Sequence, residues 1–145
     1  MKFSSLKAST RSFYTCMFSL LILLLSSCSR KLHFERSMVV PAAEGTVKIK
    51  KDNNKNYSIN INIRNLVESD KLVPPRKTYV AWIETDQDRN KNIGRLNSSS
   101  GLFSKTLKAS LNTVTPYNPE KVFITAENDA EISYPNGEVI LTTSD

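Results

Sequence analysis

The chain has 145 residues, 39% of them hydrophobic and 23% charged, with a formal net charge of +6, which is room for one domain of common size. Nucleic-acid binding needs a concentrated basic face with stacking aromatics, whereas Lys and Arg of residues 45–145 are interleaved with Asp and Glu, so that class is set aside. The single histidine, His33, excludes a Ser/His or Cys/His nucleophilic pair anywhere beyond residue 44.

The first 27 residues read as an export signal. Lys2, Lys7 and Arg11 precede an apolar run from Met17 through Leu20, Leu21, Ile22, Leu23 and Leu24 to Leu25, with no acidic residue before it. The run is shorter than the roughly 20 apolar residues of a spanning helix, and a basic start followed by a short apolar core is the pattern of a secretory signal. Leu25, Ser26, Ser27 and Cys28 close it, and these four residues resemble the lipobox of bacterial lipoproteins. The resemblance implies a diacylglyceryl group on the sulfur of Cys28, cleavage just before it and acylation of the new amine. Several acyl chains, at about 0.8 kcal/mol per buried methylene, anchor durably where one short chain does not. Ser29, directly after the cysteine, resembles lipoproteins that continue to the outer membrane, on its periplasmic face. Cys16 leaves with the signal and Cys28 carries lipid, so no disulfide, cysteine nucleophile or thiolate metal site is expected in the mature chain.

Residues 28–44 lack a sustained period and end in Pro41, Ala42 and Ala43. They read as the lipidated cysteine and a tether, with a short first strand at Met38, Val39 and Val40. The tether cations Arg30, Lys31 and Arg36 would lie beside anionic headgroups, each adding roughly 1 kcal/mol.

From Gly45 strict alternation begins, Val47 and Ile49 against Lys48 and Lys50, the mark of a half-buried strand. Asp52, Asn53, Asn54 and Lys55 supply a tight turn. The return strand puts Tyr57, Ile59, Ile61 and Ile63 on one face and Ser58, Asn60, Asn62 and Arg64 on the other. After Pro74 and Pro75, the run Thr78, Tyr79, Val80, Ala81, Trp82, Ile83 is apolar on both faces, which is how a central, doubly covered strand reads. Trp82 is the best candidate for the centre of the core. Further strands are expected at Ile93, Gly94, Arg95 and Leu96, more weakly over residues 102–111, at Val122, Phe123, Ile124, Thr125 and Ala126, and, after a turn at Pro135, Asn136 and Gly137, at Val139, Ile140, Leu141 and Thr142. Many short strands between turns point to an all-β sandwich or barrel.

Asn65 and Leu66, then Tyr79, Val80, Ala81 and Trp82, then Asn92, Ile93, Gly94 and Leu96, then residues 122–127 and Pro135, Asn136 and Gly137 resemble in order and spacing the extracytoplasmic β-sandwich of anti-sigma-K-type factors. The resemblance implies one immunoglobulin-like antiparallel sandwich of about seven strands over residues 45–145. The cytoplasmic zinc-containing domain and transmembrane helix of those regulators have no counterpart here, so sigma-factor binding does not carry over.

The one metal-like spacing is Asp86, Asp88, Asn90, Asn92, but Lys91 stands at the glycine position of a calcium loop and Asn97 at that of its bidentate glutamate. Hairpin polarity is the expectation, with no metal and no cofactor. Asp129 and Glu131 alternate along the chain, and nothing brings two carboxylates into one cleft as a hydrolase requires; the chain reads as non-enzymatic. If strands run up and down, residues 52–55, 86–92 and 112–119 share one end of the sandwich while the tether enters at the other. The Asn/Asp-rich end then faces away from the membrane, where Asp86, Asp88, Asn90 and Asn92 are candidate binding residues. The expected role is an envelope-protein interaction or structural module, with a ligand-binding or sensory accessory subunit as the alternative.

Overall fold

The computed structural model describes residues 29–87, 89–100 and 107–144. Leu25, Ser26, Ser27, Cys28 and Asp88 lie outside them. Among the described residues, nine strands form two antiparallel sheets: β1 (Ser29–His33), β2 (Glu44–Lys51), β3 (Tyr57–Arg64), β4 (Thr78–Thr85), β5 (Asn90–Arg95), β6 (Asn97–Ser100), β7 (Leu107–Thr115), β8 (Pro119–Glu127) and β9 (Glu138–Thr142). One sheet has the order β1-β2-β3-β7-β6 and the other β5-β4-β8-β9.

The alternation of the sequence builds the first sheet. Val47 and Ile49 of β2 and Ile59, Ile61 and Ile63 of β3 turn inward and are buried, against Tyr79, Ala81 and Ile83 of β4 and Val122, Ile124 and Ala126 of β8. Each fully buried isoleucine stabilises the fold by about 1.5–3 kcal/mol relative to exposure. Lys48, Lys50, Asn62 and Arg64 face water.

Three strand expectations are corrected. Residues 29–33 form an edge strand rather than an irregular tether, paired with β2 from Ser29 opposite Lys50 to His33 opposite Thr46. Met38, Val39 and Val40 form a bend rather than a strand, because the Ser37 hydroxyl accepts the N–H groups of Val39 (3.2 Å) and Val40 (2.9 Å) and curls the chain. The serine-rich segment after Leu96 is a strand, β6, so nine strands stand where about seven were expected.

The sheets are joined along one edge, where Phe34 bridges to Thr143 and the Glu35 N–H reaches the Thr142 carbonyl at 2.8 Å. Tyr79 closes the base of β4: its hydroxyl donates to the Val67 carbonyl at 2.9 Å and holds the 3-10 turn Ser69–Lys71 against the core. Burial, helped by Asp70, pushes the Tyr79 phenol from 10.0 up to about 12. A phenol raised in the folded state leaves stability intact below pH 10 and removes it as pH climbs from about 10 towards about 12. Alkaline unfolding should therefore shift in Tyr79→Phe relative to the parent. Absorbance titration of the parent minus that of Tyr79→Phe should show the Tyr79 phenol ionising well above pH 10, and a difference step at pH 10 would contradict this placement.

Trp82 is fully buried but does not lie between the sheets. With Val80 and Phe123 it forms a second cluster on the outer face of the four-stranded sheet, covered by Ala130 and Ile132. The indole stacks on Phe123 at a centroid distance of 6.3 Å and 13° between planes. The second cover of β4 is thus the segment of residues 128–137, which leaves β8 and folds back as a flap over the sheet.

Candidate functional site

The flap is held by a buried polar chain. Trp82 Nε1 donates to Thr125 Oγ1 at 2.8 Å, and Thr125 Oγ1 donates to Glu127 Oε1 at 2.7 Å. The same carboxylate oxygen accepts the N–H groups of Asn136 (3.1 Å) and Gly137 (2.9 Å). Glu127 is 3% exposed, so its charge is met by donors rather than by water, as buried charge requires. Among the described residues no buried side-chain nitrogen or oxygen lacks a partner. This network is structural: it ties β4 to β8 through Trp82 and Thr125, and β8 to the returning flap through Glu127 Oε1.

Asn92 belongs to the same closure. Its Nδ2 donates to the carbonyls of Ala130 (2.8 Å) and Ile132 (2.9 Å), and its Oδ1 accepts the Gly94 N–H at 2.9 Å. Gly94 has φ +126, a backbone that favours glycine. Of the alternating oxygen set, Asp86 and Asn90 are exposed at the β4–β5 hairpin, Asn92 is committed to the flap, and Asp88 lies outside the described residues. Among the described residues no three of His, Cys, Asp or Glu are grouped as metal ligands. Millimolar calcium is expected to leave the melting temperature unchanged; a saturable upward shift would show that the hairpin binds it.

The ends of the molecule follow from the registers. Thr115 pairs with Tyr57 at the top of β3, and residues 116–118 lead directly to Pro119, which pairs with Thr85 at the top of β4. The turns at residues 52–56, 86–89 and 116–118 thus share one end. Lys91 Nζ sits 5.1 Å from the centre of the Tyr117 ring, and Lys51 Nζ 5.3 Å from that of Tyr57.

The chain also enters at this end, not at the opposite one. Ser29 lies opposite Lys50, beside the 52–56 turn, and the Arg30 guanidinium donates to the carbonyl of Pro119 and, at 3.5 Å, to that of Glu120. The expectation of an Asn/Asp-rich end remote from the start of the domain is corrected: β1 precedes β2 and adds one reversal of direction.

No protein-family model matches this chain. No curated protein and no solved structure matches it either.

Two surfaces remain open to a partner. On the outer face of the five-stranded sheet, Asn60, Asn62 and Asn112 form a ladder of amides, Asn62 donating to Asn60 and Asn60 to Asn112. Beside it is a groove of about 540 Å³ lined by Lys31, His33, Glu44, Thr46 and Arg64, in which Arg64 and Glu44 pair at 3.2 Å. The period-two reading supplied Asn60 and Asn62, but the expected strand over residues 102–111 stops short of Asn112, which β7 includes; residues 102–106 of that expectation lie outside the described residues.

Proposed function

We propose that the chain is an exported lipoprotein anchored through Cys28, with residues 29–144 held at the outer membrane facing the periplasm as a non-enzymatic interaction or envelope-structural module. The observation that carries this reading is the run Leu25, Ser26, Ser27, Cys28, which follows a basic start and a short apolar stretch; β1 runs from Ser29, so cleavage before Cys28 leaves the whole of β1 in the processed chain. The fold is an immunoglobulin-like sandwich. In support, β2-β3-β7-β6 and β5-β4-β8-β9 follow the A-B-E-D and C′-C-F-G strand orders of that class, with β1 as an additional edge strand.

The anchor decides which surface a protein partner can meet. With Cys28 next to β1, the 52–56, 86–89 and 116–118 turns lie on the membrane side. A partner protein then meets the amide-bearing face of the five-stranded sheet or the far end, where Val73 is 93% exposed. Cys28→Ala, or globomycin, should block maturation and release the protein from washed membranes; unchanged processing and membrane retention would refute the anchor.

A further inference from the structure

We infer that the end of the domain carrying the 52–56, 86–89 and 116–118 turns is a docking surface for anionic phospholipid headgroups, so that the domain lies against the bilayer rather than standing off from it. The inference rests on the Cys28 anchor for the source of the lipid and on the strand registers for the geometry.

The strand register brings the residue after Cys28 to this end. Ser29 is already paired with Lys50, and Cys28 is the residue bonded to it, one Cα–Cα step of about 3.8 Å away. The side chains nearest Ser29 therefore fall within the Debye length of about 10 Å at 0.1 M salt, where charges on protein and lipid act on each other.

The charges at this end suit an anionic surface. Among the described residues, Arg30, Lys50, Lys51, Lys55, Arg89, Lys91 and Lys121 lie there by register and turn, against the fewer acids Asp52, Glu84, Asp86 and Glu120. Asp52 is partly withdrawn, since its Oδ1 accepts the N–H groups of Asn54 and Asn56, each at 2.8 Å. Tyr57 and Tyr117 stand at the same end, each with a lysine over its ring, and Tyr117 is 47% exposed. Tyrosine with an apolar body and a polar tip is enriched at the headgroup level of membranes.

Hydrogen exchange of the full chain, expressed in a bacterial host that processes lipoproteins and purified from its membranes, tests this. The protein is compared in detergent, in phosphatidylcholine vesicles and in vesicles rich in phosphatidylglycerol. Amides of residues 50–56, 86–91 and 116–121 are expected to slow several-fold in the phosphatidylglycerol vesicles, while residues 65–77 at the opposite end keep their detergent rates. The protection should shrink at high salt, where the Debye length falls to about 3 Å at 1 M, and in the triple variant Lys50→Glu, Lys51→Glu, Lys55→Glu. Unprotected turns at 50–56 and 116–121, or protection confined to residues 65–77, would overturn the docking surface. The N-terminal peptide of the same digest keeps the two claims apart. An acylated Cys28 with exposed turns refutes the docking alone, and an unmodified Cys28 with protected turns refutes the anchor alone.

Discussion

Gly137→Ala is expected to lower the unfolding free energy by about 4 kcal/mol, a large fraction of the 5–15 kcal/mol that separates native from unfolded domains. A Cβ at this position would stand 1.9 Å from the Ala126 carbonyl oxygen, 2.8 Å from its carbon and 2.9 Å from Glu127 Oε2. Two of those atoms are backbone of the central strand β8, so relief must come from moving the flap. Overpacking alone costs about 1–3 kcal/mol and occasionally more. Moving the flap also withdraws the Gly137 N–H from Glu127 Oε1, and a buried acceptor left without its donor costs a further 1–3 kcal/mol or so. Asn136→Ala, which keeps the backbone donor and changes an exposed side chain, should stay close to the parent. Urea denaturation of the three proteins decides the matter, and a Gly137→Ala midpoint equal to the parent's would show that the flap is not closed as described.

Trp82→Ala carries the second large effect. Truncation of a fully buried tryptophan costs about 3–5 kcal/mol, and here it also leaves Thr125 without the indole donor. The flap loses the surface on which Ala130 and Ile132 pack, so proteolysis should begin within residues 128–137 before the sheets unfold. Trp82→Phe keeps the stacking on Phe123 and gives up one hydrogen bond, a loss of about 1 kcal/mol. Because Trp82 is the only tryptophan, emission of the parent protein reports the flap directly, blue-shifted when closed and red-shifted on opening. Cleavage elsewhere first, or an Ala variant as stable as the Phe variant, would place the indole's role outside the flap.

What was legible follows from where the burial pattern is one-sided. Val47 and Ile49, then Ile59, Ile61 and Ile63, alternate with polar residues because one face of their sheet meets water, and both strands were read from that period. The doubly apolar run around Trp82 was also read as doubly covered, but its second cover starts 46 residues later, at Asn128. The partly buried hydrophobics that the flap packs on the tryptophan's cluster are Ala130 and Ile132, too few to give a period. Glu127 was silent for a related reason: beside the Thr125 hydroxyl, its flap partners are the backbone N–H groups of Asn136 and Gly137, which leave no trace in side-chain identity.

The edge strands were the hardest to read. In β1, Arg30, Lys31 and His33 surround Leu32, and charge on an edge strand discourages pairing with other chains while concealing the strand from a hydrophobicity pattern. Missing that strand reversed the assignment of ends, which shows how one five-residue element controls the placement of every loop relative to Ser29. At the loop residues, Asp86 and Asn90 were placed at a hairpin from polarity alone, whereas the binding of Asn92 to two flap carbonyls depends on a contact across about 40 residues of sequence.

The central claim, the proposal that Cys28 is a lipid anchor joined directly to β1, is tested most directly by the mass of the N-terminal peptide of protein extracted from bacterial membranes. The account predicts a peptide that starts at Cys28 and carries a diacylglyceryl thioether and an amide-linked acyl chain. A peptide that retains residues before Cys28, or that begins elsewhere with a free thiol, would contradict it.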